Sequence, residues 1–229
     1  MSRSLEQPPA AILWDLDGVI VDSGEYHYAA YVAVLAQRGV KLDKKRYYAS
    51  LFGRRNWDIL RDVLGDLPDD ELRAIAQQKE VKFRELARGH IAPLPGAKEL
   101  LRRAHEAGLK QSIVSSTPRE NIEMIVDSLG VRDDLDAIVG EEDSERGKPD
   151  PQPFTTAADR LAVPYEGCVV LEDAPEGIAA GKTAGMRTIG VTTTRPAERL
   201  SEADLVVASL EDGRVWQFIS NDPFGGSGS

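Results

Sequence analysis

The chain has a single cysteine, Cys168, set in an apolar segment. That excludes an internal disulfide and a cysteine-ligated zinc cluster, and a buried structural thiol is expected. No stretch offers the ~20 consecutive apolar residues of a membrane span, and the residues from Met1 to Pro9 lack the apolar core of a secretion signal. A cytoplasmic protein with no membrane partner is therefore expected. Positive charge is also in deficit. The 28 Lys and Arg against 38 Asp and Glu give a formal net charge of -10, which argues against a surface dedicated to nucleic acid. A phosphate-bearing ligand would need cations gathered locally. What is present suffices for a packed interior: 229 residues, 41% of them hydrophobic, fit one medium domain or a core carrying a smaller insertion.

The apolar run 11–14 reads as a buried parallel strand. After it, Tyr26, Ala29, Ala30, Val32, Ala33 and Leu35 recur at helical spacing, with Ser23 as N-cap and Gly39 as stop. Further helical patterns cover 57–64 and 69–88, the latter with Asp69 as a capping candidate after Pro68. No strand pattern interrupts them, so 23–90 is predicted to be an all-helical insertion, and Pro93, Pro95 and Gly96 mark the return to the main sheet. From there strand-like runs at 109–114, 137–139, 168–171, 188–191 and 205–207 alternate with helical patterns at 96–107, 154–161 and 177–184. Thr117, Pro118 and Glu120 form a candidate capping box with proline at the first helical position. The prediction is an α/β fold: a doubly wound, parallel-sheet, Rossmann-like core over 1–22 and 91–221 with a helical cap over 23–90. The tail 222–229, of low complexity from Gly225 to Ser229, is expected to be disordered.

Asp15 and Asp17 close the first apolar run and are followed at once by Gly18. Alternation along an extended backbone turns both carboxylates to one side, where one can bind a cation and attack while the other moves protons. Three later strand ends or loops carry Ser115, Lys148-Pro149 and Glu172-Asp173. The carboxyl ends of parallel strands lie along one edge, so these groups can converge. Each also has a structural reading of its own, as turn, helix start, solvated lysine or helix cap, but their joint occurrence is improbable as coincidence.

This ordered set resembles the haloacid dehalogenase superfamily of phosphoryl-transfer enzymes over nearly the whole chain. The match extends from Asp15 to Ser23 and from Leu171 to Met186, and the helical insertion is similar to that superfamily's C1 cap. Asp17 matches the second acid of the phosphotransferase members rather than dehalogenases proper. The resemblance implies that Asp15 is the nucleophile, forming an aspartyl phosphate, and that Asp17 is the general acid and base. It implies Mg²⁺ held by Asp15, Asp173 and the Asp17 carbonyl, with Glu172 acting through water. Lys148 and Ser115 then serve the transferring phosphoryl group, with Gly18, Ser116 and Thr117 toward substrate.

The segment from Ser23 to His27 resembles the β-phosphoglucomutase group, in which the matching histidine couples acid–base work to closure, and His27 is carried as a site residue. Where that mutase has a lysine before a glycine, an arginine three residues beyond it, and a further lysine, this chain has Phe52, Asn56 and Pro118. Arg54 or Arg55 is the candidate replacement contact. The expected function is a Mg²⁺-dependent phosphatase of a small phosphorylated metabolite, a sugar phosphate or a phosphoglycolate-like compound, acting as a monomer or weak homodimer. The alternatives are a β-phosphoglucomutase-like isomerase and, third, a non-catalytic phosphate-binding regulator.

Overall fold

A computed structural model describes residues 9–221, so the expectation for 222–229 lies outside the described residues. Six strands, β1 (Ala11–Trp14), β2 (Lys110–Val114), β3 (Ala137–Val139), β4 (Cys168–Glu172), β5 (Arg187–Val191) and β6 (Leu205–Val207), form one parallel sheet in the order β3-β2-β1-β4-β5-β6. The continuous apolar run of β1 is explained by its central place, covered on both faces. Ile12 and Trp14 pack into one layer with α5 (Ala97–Glu106), α6 (Arg119–Leu129) and α9 (Gly213–Ser220). Ala11 and Leu13 pack into the opposite layer with α7 (Gln152–Leu161) and α8 (Pro175–Thr183). The chain winds outward through β2 and β3, returns to the far side of β1 as β4, and so makes β1 the point where strand order reverses. Trp14 is level with Ile113 and with Leu171, so Asp15 emerges beside the ends of both neighbouring strands.

The insertion is helical as predicted: α1 (Gly24–Ala36), α2 (Lys44–Arg46) running into a π-helical turn at Tyr47–Leu51, α3 (Asn56–Leu64) and α4 (Asp69–Ala87). These helices share an apolar cluster of their own, built on Tyr31, Leu35, Leu51, Leu60, Leu72 and Ile75, while Ala30, Phe83 and Ala87 join the layer beneath the sheet. The chain enters and leaves the insertion side by side, with Val21 bridged to Pro93 and the Leu94 N–H donating to the Ile20 carbonyl at 2.8 Å.

Three helix starts differ from expectation. Ser23 stands at the N-cap of α1, but its hydroxyl donates to Asp17 instead of capping. The capping box at Thr117 does not form. Pro118 lies outside α6, the Thr117 hydroxyl donates to Asp17 at 2.9 Å, and the Arg119 N–H is satisfied by the Glu142 carboxylate at 3.1 Å. Asp69 is the first residue of α4, with Pro68 at the cap and no side-chain cap bond. Hydroxyls that local pattern assigns to helix ends are claimed by a carboxylate that the sheet brings within reach. The 44–51 segment went unrecognised because it is only two turns long; its start is marked by the Asp43 carboxylate accepting from the Arg46 N–H at 2.7 Å.

Candidate active site

Asp15 leaves the end of β1, Glu172 ends β4, and Asp173 follows it. All three are buried, and carboxylate oxygens from each lie within 4.8 Å of one another. Lys148, from the loop before α7, donates to Asp15 Oδ1 at 2.6 Å, to Glu172 Oε1 at 2.6 Å and to the Val114 carbonyl at 3.0 Å. Burial alone would strip charge from this lysine, but the Asp15 and Glu172 carboxylates outweigh it and hold the ammonium firmly protonated. The acids are left under-compensated. Burial first, then the neighbouring carboxylates, push Asp15 well above the usual carboxylate range in spite of Lys148, and Asp173 is pushed up to about 7 by burial and by Glu172. Three acids facing one ammonium, with oxygen donors only, fit a hard divalent cation.

Two glycines make this crowding possible. Gly18 has φ +94°, and a Cβ there would stand 2.3 Å from Asp173 Oδ2; at Gly177 in α8 a Cβ would stand 1.9 Å from the Glu172 carboxyl. Gly18 therefore gives Asp173 its room. Glu172 also accepts the Asp173 and Ala174 N–H groups at 3.1 and 3.2 Å, so it fixes the turn that aims Asp173. Thr194, in the loop after β5, donates to Asp173 from the other side.

Asp17 is held by a different set of partners. Ser23 and Thr117 donate to it, Ser115 Oγ lies 3.4 Å away, and His27 Nε2 stands 3.4 Å from Oδ1. Burial would raise its pKa, but the hydrogen bonds from His27, Ser23 and Thr117 overcome that and lower the carboxyl to about 2. His27 is buried and stacked on Phe83 with ring centroids 3.9 Å apart. The Lys79 ammonium lies 2.8 Å from its Nδ1, and an ammonium can only donate, so the ring proton sits on Nε2, toward Asp17. Burial and then Lys79 push His27 below the usual imidazole range.

Behind His27 runs a buried network that sequence reasoning missed. Lys79 donates to Glu80 at 2.8 Å, Glu80 accepts from Asn56 and from Asn121 of α6, and Asn56 accepts from Tyr31. The signal was there: along α4, Leu72, Ile75, Phe83 and Ala87 are buried at helical spacing, and Lys79 and Glu80 occupy the gap where core residues fall due.

Between sheet edge and helices lies a cavity of about 570 Å³, bounded by Asp15, Asp17, Ser115, Ser116, Thr117 and Lys148 below and by Tyr47, Phe52, Arg54, Arg55 and Trp57 above. Neither arginine is free. Arg54 donates to Asp62 at 2.7 Å, and Arg55 reaches across to the carbonyls of Ser144 and Glu145 at 2.8 and 2.9 Å, tying the helical layer to the loop that carries Lys148. Glu141, also on the cavity wall, is pushed up to about 7 by burial and by Glu80.

A sequence profile described as haloacid dehalogenase-like hydrolase matches residues 12–191. The chain is 31% identical over 207 residues to the validoxylamine A 7'-phosphate phosphatase of Streptomyces hygroscopicus subsp. limoneus, covering 90% of this chain and 96% of that one. It is 33% identical over 210 residues to the β-phosphoglucomutase of Bacillus subtilis (strain 168), covering 88% and 90% respectively. Among solved structures, β-phosphoglucomutase from Clostridium difficile superposes with a TM-score of 0.83 at 28% identity, over 93% of this chain and 97% of that one.

Proposed function

The chain belongs to the haloacid dehalogenase-like hydrolase family, and from that membership we propose that it is a Mg²⁺-dependent phosphatase that cleaves a small phosphorylated metabolite through an aspartyl phosphate on Asp15. The observation that carries this reading is the meeting of Asp15 with Lys148 at 2.6 Å inside a buried triad of acids, with Asp17 two residues on. Phosphomonoesters are among the slowest substrates known, requiring accelerations of up to ~10²¹-fold, so charge neutralisation and in-line placement must both be supplied. Asp15, Asp173 and the Asp17 carbonyl would hold the Mg²⁺, which when bound supplies the positive charge that lets a carboxylate meet a phosphate dianion. Lys148 adds the second positive charge and fixes Asp15 for attack. The Ser115 hydroxyl serves a phosphoryl oxygen.

Asp17 is a carboxylate in the unliganded protein, the form needed to deprotonate the water that cleaves the aspartyl phosphate. A bound phosphate dianion beside it raises its proton affinity, which suits the earlier step of protonating the leaving oxygen. His27, donating from Nε2, sets the carboxylate's orientation. The helices between 24 and 87 act as the cap, and the aromatic rings of Tyr47, Phe52 and Trp57 beside polar groups suit a polyhydroxylated substrate such as a sugar phosphate.

The likeness to β-phosphoglucomutases favours a second reading, an isomerase using the same intermediate. The cap residues weigh against it: Phe52 offers no charge, Asn56 is spent on Tyr31 and Glu80, and Arg54 and Arg55 are bound elsewhere. Phosphate release across sugar phosphates, polyol phosphates and phosphoglycolate, with Mg²⁺ and again after exhaustive chelation, tests the proposal. Turnover of at least one compound that collapses with EDTA is expected; no release from any, or release indifferent to chelation, would refute it.

A further inference from the structure

The turn Glu141–Asp143 carries three acids, and two of them hold the fold together. Glu142 accepts the Arg119 N–H at 3.1 Å, while Asp143 accepts from the Arg119 and Arg160 guanidiniums and from the Gly140 N–H at 2.8 Å. The Glu141 carboxyl has no hydrogen-bond or ion-pair partner among the described residues, yet it is half-buried and bounds the catalytic cavity. Its surroundings disfavour charge. Glu80 acts on it from α4 and Glu142 from its own turn, and the two cations that act on it are engaged elsewhere, Arg55 with the Ser144 and Glu145 carbonyls and Lys79 with Glu80. From α1 the Tyr31 phenol also feels it. An acid kept in such a place without bonds to the fold costs free energy that a ligand contact would offset. The Glu141 N–H donates to the Thr117 carbonyl at 3.1 Å, and the Thr117 hydroxyl donates to Asp17 at 2.9 Å, so Glu141 is fastened next to the acid assigned to the leaving oxygen.

We propose that Glu141 is a specificity-determining residue whose carboxylate accepts a hydrogen bond from a hydroxyl of the leaving alcohol and repels leaving groups that carry a carboxylate or a second phosphate. This rests on the phosphatase reading and narrows its substrates to phosphomonoesters of neutral polyhydroxyl compounds, against phosphoglycolate-like ones. A hydroxyl satisfies the carboxylate, whereas an anion adds a like charge where water is scarce, so rejection of the wrong leaving group carries more of the selection than attraction of the right one. The same charge weighs against a second phosphate under the cap, in line with the engagement of Arg54 and Arg55. Burial and Glu80 push Glu141 up to about 7, so the discrimination grows as pH rises through neutrality and the carboxylate form fills.

The test compares matched pairs, glycerol 3-phosphate with 3-phosphoglycerate and fructose 1-phosphate with fructose 1,6-bisphosphate, in the wild type and in Glu141→Gln. Phosphate release at pH 6 and pH 8, calorimetric binding and thermal unfolding are measured. Expected for the wild type at pH 8 is a kcat/KM for the neutral member at least about tenfold above the charged member's, shrinking at pH 6. Glu141→Gln should bring the two within about threefold, mainly by a gain on the charged member, which damage to the fold would not produce. It should also flatten the pH dependence of the ratio and unfold no earlier than wild type, since the carboxyl has no partner to lose. A wild type that treats both members alike or favours the charged one, a variant with the ratio unchanged or with equal losses on both, or earlier unfolding of the variant overturns the assignment. Should the wild type hydrolyse nothing, the phosphatase reading fails separately. Glu141 is then judged on binding alone: a preference for the neutral member that the variant loses upholds its role, and no preference, or one the variant keeps, overturns it.

Discussion

Gly177→Ala separates local propensity from tertiary structure, because the two predict opposite signs. Gly177 is the third residue of α8, and replacing a helix glycine by alanine ordinarily stabilises by about 0.5–1 kcal/mol. Here the new Cβ would fall 1.9 Å from the Glu172 carboxyl, roughly half a normal contact distance, and Glu172 is only 1% exposed. The carboxylate must rotate away and give up its contacts. Those are the Lys148 ammonium at 2.6 Å and the two N–H groups of Asp173 and Ala174. A charge-assisted bond contributes about 1.5–3 kcal/mol and each of the others about 1, so the net expectation is a loss of about 3 kcal/mol. Urea unfolding should show a lowered midpoint with an unchanged slope, and phosphate release should fall as Lys148 and Asp173 lose their common support. A double-mutant cycle sharpens the test: with Glu172→Ala already in place, Gly177→Ala should turn neutral or stabilising. A single variant more stable than wild type and fully active would refute the argument.

Asp15→Asn should reduce kcat by more than a hundredfold with the fold intact, checked by steady-state turnover beside thermal unfolding, since it removes the attacking oxygen's charge at nearly constant volume. For Asp17 the folded pKa of about 2 lies below the ordinary 3.8, so its stabilisation is present above pH 3.8 and is lost as pH falls toward 2. That amounts to about 2 kcal/mol. Acid unfolding curves of wild type and Asp17→Asn should therefore differ in steepness between pH 4 and 2, and parallel curves would contradict the assignment. Partitioning of the aspartyl phosphate should favour water. With glucose 1,6-bisphosphate as primer, β-glucose 1-phosphate should yield inorganic phosphate and little glucose 6-phosphate. Isomerisation outrunning release by tenfold, about 1.4 kcal/mol in the partitioning barrier, would make the chain a mutase.

The places where expectation and structure part share one cause. Ser23 and Thr117 are sound N-cap residues by local rule, yet both hydroxyls serve Asp17, because a buried carboxylate without donors costs more than a helix end that water or another side chain can satisfy. His27 lies on a helix whose spacing does not distinguish it from a surface histidine; only packing against Phe83 and Lys79 makes it a buried, oriented donor. Arg54 and Arg55 are adjacent and chemically alike, yet one joins Asp62 within the insertion and the other fastens it to the Lys148 loop, a difference set by where each reaches in space.

By itself the sequence determined the parallel sheet, the helical insertion and the strand ends and loop that carry Asp15, Ser115, Lys148 and the Glu172-Asp173 pair. Apolar runs, helical periods and glycine or proline punctuation are local signals, and a parallel sheet sends all its carboxyl ends to one edge. Tertiary structure alone decided how burial and neighbours shift the protons of Asp15 and Asp17. Asp15 and Asp17 differ by two residues in sequence but are driven in opposite directions, one upward by burial among acids, the other downward by donors from two other segments. Desolvation and Coulomb forces act through space, over distances that the order of residues does not encode.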